Sequence, residues 1–527
     1  MTIDAQIDEY FAPVAHAVDE VVFYTVPMFG QDVRILILWL LLPALVFTFY
    51  LGFVNFKHFW HGIQVALGKY DEAKDDGQIS SFQALMASLS GTVGLGNIAG
   101  VAIAVSVGGP GAVFWMIFMG VMSMSTKFAE VTLGMLYRLH PSKKHPDRLA
   151  GGPMYYLRDG FKKKGHPLLG QFLAITFAIF CILGAFGGGN MFQANQAFQQ
   201  VYQITGAEAG FFADRAWVFG IILAFLTGVV IIGGIKSIAN VASKIVPFMG
   251  IMYVIAALVV IGLNYPAIPG AFVEIFRGAI NVEAGIGGLI GALIVGVQRA
   301  AFSNEAGIGT AAIVYSAARA KHPAMQGMAS MIGPFLDTVV ICSTTALLIL
   351  VTGVHENADG IAGVELTSAA FATGISWFPY VLAVAVCLFA YSTLITFAYY
   401  GEKAVNFLFG ESDALELLFK ILFCLFVVVG SSVELHNIIE LSDALILAMA
   451  IPNVIGMYVL APEVKSALNK YLKIMKLDGT KASVKKTTSK KAAPKKKTTK
   501  KKASAKKTTK KKTAKKSNKK TTKKKSK

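Results

Sequence analysis

Apolar and polar positions along the 527 residues fall into long blocks, without the two-residue alternation of a half-buried strand. From Leu36 to Ala461, apolar runs long enough to cross a hydrocarbon core recur, and such a crossing takes about 20 residues. There are eleven: 35–55, 83–107, 111–137, 168–202, 215–234, 240–263, 285–318, 328–352, 366–400, 414–431 and 440–461. The pattern predicts an all-α integral membrane protein of about eleven transmembrane helices, with no soluble domain of useful size between them.

Two of these runs are interrupted by polar, Gly-rich stretches: SGTVGLGNIAG (Ser90 to Gly100) in the second and FSNEAGIGTAA (Phe302 to Ala312) in the seventh. With the first helix set aside, ten remain, and an interrupted helix opens each set of five. The odd offset makes the two halves enter the membrane from opposite sides, as in an inverted repeat whose binding site lies at mid-depth where broken helices meet. The expected architecture is one extra N-terminal helix plus a 5+5 inverted repeat, approximately 83–263 and 285–461, with broken second and seventh helices. Either motif alone reads equally well as small residues for close helix packing. Two at matching positions point to backbone lining a cavity, because an unpaired N–H or C=O facing lipid is costly.

Composition agrees: 54% of residues are hydrophobic, 15% are charged and the mean hydropathy is +0.57, whereas an average soluble domain carries about 25% charged residues. The formal charge of +19 belongs to one end, since the segment after Asp478 holds 24 Lys and no acid, leaving −5 for the rest. Three regions follow: an extracytoplasmic segment 1–34, a membrane domain 35–478 and a Lys-rich tail 479–527 expected to be disordered and cytoplasmic. Loop lysines and arginines set the orientation. An outside N-terminus puts Lys57, Lys69, Lys74, the cluster from Arg138 to Lys164, Lys236, Lys244, Arg319, Lys321 and Lys403 inside, and only Arg34, Arg215 and Arg277 outside. Eleven crossings then bring the C-terminus into the cytoplasm. Asp4, Asp8, Glu9, Asp19 and Glu20 precede the first Lys or Arg, Arg34, which is the reverse of a signal peptide. Cys181, Cys342, Cys387 and Cys424 are widely spaced in apolar runs, so neither a disulfide framework nor a transition-metal site is expected.

A helix broken at Gly94 and Gly96 presents free N–H groups on one half and free carbonyls on the other, so one break suits both a carboxylate and a cation. Ser90 and Thr92 add hydroxyl oxygens suited to Na⁺. In the ninth run Phe389, Ser392 and Thr393 place two hydroxyls in an apolar stretch, where such groups also commonly bond the carbonyl one turn back. In the fourth, Asn190, Gln193, Gln196 and Gln200 form one polar stripe, and Asn190 and Gln193 lie deepest. Glu305 is the acid at membrane depth to weigh for coupling or gating, with a structural pair to Arg299 as the alternative. Lys127 and Glu130, three residues apart, read as a snorkelling or paired couple with no substrate role, and Asp337 is assigned none. Nucleotide-binding loops, H-E-x-x-H and G-x-S-x-G are absent, so an enzyme or an ATP-driven pump is not expected. The tail suits anionic lipid headgroups or, nonspecifically, nucleic acid, and a solvated tail serves equally well.

These residues resemble the alanine or glycine:cation symporter family, the sodium:alanine symporters, within the superfamily of the leucine-transporter inverted-repeat fold. The stretches that carry it are SGTVGLGNIAGVA, GGPMYYL (Gly151 to Leu157), GGNMFQANQ (Gly188 to Gln196), GGIKSIANVASKIVPFM (Gly233 to Met249), FSNEAGIGTAAI and YSTLITFAYYGEK (Tyr391 to Lys403), and it spans about 35–470. The resemblance implies symport of alanine, glycine or a similar small amino acid with sodium, as co-transported ligand and without cofactor, across a plasma membrane, the inner membrane in a bacterium. Proton coupling of another small amino acid or amine is the alternative. It implies that Thr92, Gly94, Asn190 and Gln193 hold substrate, with Phe302 walling the side-chain pocket and Thr393 and Phe397 beside it. Sodium would be held near Ser90, Val93, Phe389, Ser392 and Thr393. Where many members carry Gly-Trp, this chain has Thr396-Phe397, which implies room for a somewhat larger side chain.

Overall fold

The computed structural model describes residues 13, 16–28, 31–72, 75–139, 149–280, 285–357, 363–433 and 435–491. The chain divides into two units, Met1–Leu472 and Lys473–Lys527. The first is a body of helices preceded by a short antiparallel hairpin, β1 (Thr25–Met28) and β2 (Gln31–Arg34), in which Thr25 pairs with Arg34.

The helices are α1 (Ile35–Tyr50), α2 (Phe59–Ala66), α3 (Ser81–Thr92), α4 (Ala99–Gly108), α5 (Gly111–Leu136), α6 (Pro153–Lys163), α7 (Pro167–Phe186) and α8 (Phe192–Ile204). They continue as α9 (Ala216–Ile231), α10 (Gly234–Leu263), α11 (Ile268–Ala279), α12 (Gly285–Asn304), α13 (Thr310–Tyr315) and α14 (Pro323–Ser330). The last are α15 (Ser343–Thr352), α16 (Val364–Gly374), α17 (Phe378–Phe409), α18 (Asp413–Ser432), α19 (Leu435–Ala448) and α20 (Ala450–Lys491). Among the described residues seven helices are long and apolar enough to cross a membrane, or eight if the bent pair Ser81–Thr92 and Leu95–Gly108 is one span. α1 and α9 are apolar but shorter, and stand where the first and fifth spans are predicted.

Local chemistry explains the ends that matter. Ser80 Oγ accepts the Gln83 N–H at 3.1 Å while Gln83 Oε1 accepts the Ser80 N–H at 3.0 Å, a reciprocal cap that starts α3. α3 stops at Thr92, and a single 3₁₀ turn, Leu95–Asn97, leads to α4 across a bend of 61°. α12 stops at Asn304, and Glu305, Gly307 and Gly309 all have positive φ (53°, 89° and 108°) before α13 begins. Glycine suits two of these positions, and Glu305 is the strained one. α7 passes into α8 through a π turn, Gly187–Met191, and a second π turn, Phe335–Cys342, precedes α15.

Some boundaries differ from the sequence reading. The predicted run 366–400 is two helices: α16 ends at Gly374, Ile375 is extended, and Pro379 in the first turn of α17 favours a fresh helix start. Hydropathy misses such a break because both pieces are apolar. α20 runs to Lys491, past the expected boundary at 478, and the remaining tail lies outside the described residues.

Candidate functional site

The two helix interruptions meet. Asn97, in the 3₁₀ turn of the first, donates from Nδ2 to Ser303 Oγ at 3.0 Å and to Asp337 Oδ1 at 2.7 Å. Ser303, at the end of α12, donates to Asp337 Oδ2 at 2.6 Å. Asp337 is completely buried in the π turn before α15, with Thr338 Oγ1 also donating to it at 2.8 Å. One carboxylate thus fastens both interruptions.

Beside this junction lies a cavity with about 220 Å³ of empty space, lined by Gly91, Thr92, Gly94, Gly96, Gly188, Gln193, Phe302, Glu305, Phe397 and Ile446. Every lining residue is buried. Of the empty space only about 10 Å³ is open to a water-sized molecule, so a ligand that enters must displace lining side chains. At the first interruption Gly94 N–H donates to Asn97 Oδ1 at 2.9 Å and Leu95 N–H to Gln193 Oε1 at 3.1 Å. Two side-chain amide oxygens therefore occupy main-chain donors that a carboxylate would also fit. Gln193 Nε2 is anchored on Gly188 O at 2.9 Å.

Behind the same break α3 and α17 exchange hydroxyl bonds. Ser90 Oγ donates to Ser392 O at 2.6 Å, Ser392 Oγ donates to Phe389 O at 2.9 Å and to Ser90 O at 3.4 Å, and Thr393 Oγ1 donates to Phe389 O at 3.1 Å. Val93 opens the break, and a Cβ placed on Gly94 would stand 2.5 Å from Thr393 Oγ1. The oxygens of Ser90, Phe389, Ser392 and Thr393 thus form one buried, uncharged cluster next to the cavity, of the kind that can hold a hard monovalent cation.

Among the residues predicted for substrate, the structure gathers Thr92, Gly94, Gln193, Phe302 and Phe397 around the cavity, together with Glu305. Thr393 stands behind Gly94. Asn190 is placed elsewhere: its Nδ2 donates to Phe423 O of α18 at 2.7 Å. The π turn explains this, because it shifts the angular relation of Asn190 to Gln193 away from that of a regular helix. Gly188 and Ile446 line the cavity without having been singled out by the sequence. A Cβ on Gly188 would overlap Ile446, and one on Gly189 would overlap the Phe397 ring, so these glycines set how closely the walls approach.

The charges around the second interruption also depart from expectation. Lys127 and Glu130 of α5 are 1% and 0% exposed, so neither snorkels. Lys127 Nζ donates to Asn304 O at 2.9 Å and Glu305 O at 3.3 Å, the carbonyl end of α12. Glu130 Oε2 accepts Gly307 N–H at 2.9 Å, ahead of α13. Each charge faces the helix end of opposite partial charge. The signal in the sequence was an i, i+3 charged pair at membrane depth, which an apolar-periodicity reading discounts. Glu305 accepts from Thr310 Oγ1, whereas Arg299 pairs with Asp443, both buried. Gln298 Nε2 joins Asp443 at 2.8 Å, and Arg34 Nη1 joins Gln298 at 3.2 Å. Arg299 lies over the Phe302 ring at 5.6 Å. Arg299 and Asp443 each precede a cavity-lining residue, Phe302 and Ile446, by three positions, so the ion pair caps one side of the cavity. On another side Phe397 and Tyr400 stack edge to face at 5.1 Å.

Comparison with known proteins adds an independent line. The profile described as "Sodium:alanine symporter family" matches residues 16–486. The sodium/alanine symporter AgcS of Methanococcus maripaludis is 39% identical over 446 residues, covering 84% of this chain and 95% of that one. The amino-acid carrier protein AlsT of Bacillus subtilis is 36% identical over 432 residues, covering 82% and 88%. The probable sodium/glutamine symporter GlnT of Bacillus subtilis is 33% identical over 442 residues, covering 84% and 88%.

Proposed function

The chain belongs to the sodium:alanine symporter family, and on that footing we propose that it carries alanine or glycine into the cell together with Na⁺ by alternating access. It is a transporter and not an enzyme, and sodium is a co-transported ion in this family. The observation that carries the proposal is the junction of the two interruptions, where main-chain donors, a compact cluster of neutral oxygens and a small closed cavity lie within a few residues of one another.

In this reading the carboxylate of the amino acid takes over the N–H groups of Gly94 and Leu95 from Asn97 and Gln193. Its side chain faces Phe302 and Phe397, and Thr92 and Gln193 bond its polar end. Na⁺ sits among the oxygens of Ser90, Val93, Phe389, Ser392 and Thr393. Asn190 supports α18, with its role in substrate binding indirect. The Arg299–Asp443 pair closes the outer side and Phe397 with Tyr400 the inner side, so the chain would be occluded, with its N-terminus outside and its C-terminus in the cytoplasm. Eleven spans in a one-plus-5+5 inverted repeat give each gate its own half to move with. Proteoliposomes tested against a panel of small amino acids should take up labelled alanine or glycine under an inward Na⁺ gradient and not with choline in its place. Uptake indifferent to the gradient would refute sodium coupling.

One observation favours a second reading, proton coupling: Glu305, an acid in a left-handed backbone conformation, lines the cavity itself. Under that reading Glu305→Gln abolishes the pH dependence of uptake.

A further inference from the structure

Two cavities outside the central site join at a shared edge. Helices α9 and α18 pack closely at Gly220, where an added Cβ would stand 2.5 Å from Ser431 Oγ and 2.7 Å from Val428 Cα. Two turns further on, a Cβ at Gly228 would meet only Cys424 Sγ, at 3.6 Å. The pair therefore splays from Gly220 towards Ile231. The splay opens a wedge with about 1,020 Å³ of empty space including its open side, walled by Phe225, Val229, Ile232, Leu417, Ile421 and Leu425 among others. Its one charged lining residue is Lys420.

Lys420 and Ile232 also line the second cavity, with about 670 Å³ of empty space including its open side, where the link from α9 to α10 meets α17 and α18. Its charged lining residues are Lys236, Lys403 and Lys420 against Glu402 and Glu416. Glu402 is already bracketed, with Lys420 Nζ at 3.0 Å from Oε2 and Lys403 Nζ at 3.7 Å from Oε1. Lys236 is exposed and has no ion-pair partner among the described residues. The amino end of α10, capped by Gly233 and with no acid in its first turn, adds partial positive charge to the same pocket.

An apolar wedge at membrane depth that opens onto lysines is shaped for an amphiphile. We propose that this continuous groove is a binding site for one anionic glycerophospholipid, with an acyl chain in the wedge between α9 and α18 and the phosphodiester at Lys236 and the amino end of α10. Lysines at the headgroup level attract anionic lipid. The inference rests on the chain spanning a bilayer and not on which amino acid it carries.

The test is native mass spectrometry of the full-length protein released from nanodiscs, with phosphatidylglycerol and phosphatidylcholine of identical acyl chains offered in competition. The wild type should retain phosphatidylglycerol in preference. Lys236→Gln should weaken phosphatidylglycerol about fivefold and leave phosphatidylcholine unchanged. Val229→Trp, which fills the wedge from an exposed position, should weaken both lipids with the melting temperature unchanged. Equal retention of the two lipids by the wild type, or retention untouched by both variants, overturns the proposal. Alanine uptake by the same preparations reports separately on transport, so failure there leaves this site standing.

Discussion

The two helix interruptions look alike in the sequence and are held in opposite ways. At the first, the main-chain groups of Gly94 and Leu95 bond neutral amide oxygens, the hydroxyls behind them are uncharged, and the Asp337 carboxylate acts only through the Asn97 amide. At the second, buried Lys127 and Glu130 grip the two helix ends, and Glu305 joins Thr310. A neutral side-chain oxygen can give way to a ligand for about 1 kcal/mol, whereas displacing a buried charge leaves its partner uncompensated at several times that cost. The difference teaches that the first break is built to exchange partners and the second to keep its shape.

The largest effect expected from that contrast is on stability. Lys127→Met strips two carbonyls at the end of α12 of their charged donor, at roughly 1.5–3 kcal/mol for each bond, so about 3–5 kcal/mol should be lost. Thermal unfolding in detergent measures it. Ser90→Ala at the first break should cost only about 1 kcal/mol, and equal losses would erase the distinction.

Next comes the cavity wall. Gly189→Ala drives a methyl into Phe397, an overpacking of about 1–3 kcal/mol that should cut alanine uptake at least tenfold. Adding Phe397→Leu should restore part of it. Failure of that rescue would mean that the contact is not what limits the pocket.

Thr393→Ala probes the ion. Losing one oxygen near Gly94 should raise the Na⁺ concentration for half-maximal uptake about tenfold while the melting temperature barely moves, since an exchangeable ligand contributes roughly 1.5–3 kcal/mol to a charged partner. An unchanged sodium requirement places the ion elsewhere.

The smallest expected effect concerns acid. His61 of α2, outside the predicted spans, is pushed down to about 4 from 6.5 by burial first, then by the nearby His58 and Lys69 charges. Its unfolded form takes up a proton as pH falls below about 6.5, its folded form only near 4, so its contribution is intact above 6.5 and declines between those values. His61→Asn should flatten the melting temperature over that interval. In that background, any acid-side change in uptake that Glu305→Gln removes belongs to the second break.

How much of this was readable from the chain follows from what each signal measures. Length and hydropathy gave a helical protein of many apolar spans because every turn of a membrane helix carries the same message, and the paired Gly-rich motifs marked both breaks because glycine is tied to unusual backbone. Thr92, Gln193, Phe302 and Phe397 were reachable through the family resemblance. Lys127, Glu130 and the Arg299–Asp443 pair were not, since their meaning lies in partners on other helices, 144 positions apart in the last case. Asn190 bonds α18 across a π turn, which shifts a stripe without altering its spacing in the sequence. The division between α16 and α17 was hidden because hydropathy counts apolar residues on both sides of a kink alike.

Whether the first break receives both alanine and Na⁺ is read from a density map of the protein in lipid with the two added. The carboxylate should lie against the N–H groups of Gly94 and Leu95, with Gln193 turned aside, and the ion among Ser90, Val93, Phe389, Ser392 and Thr393. Alanine bound instead against Lys127 or Arg299, with residues 90–97 unchanged, would contradict it.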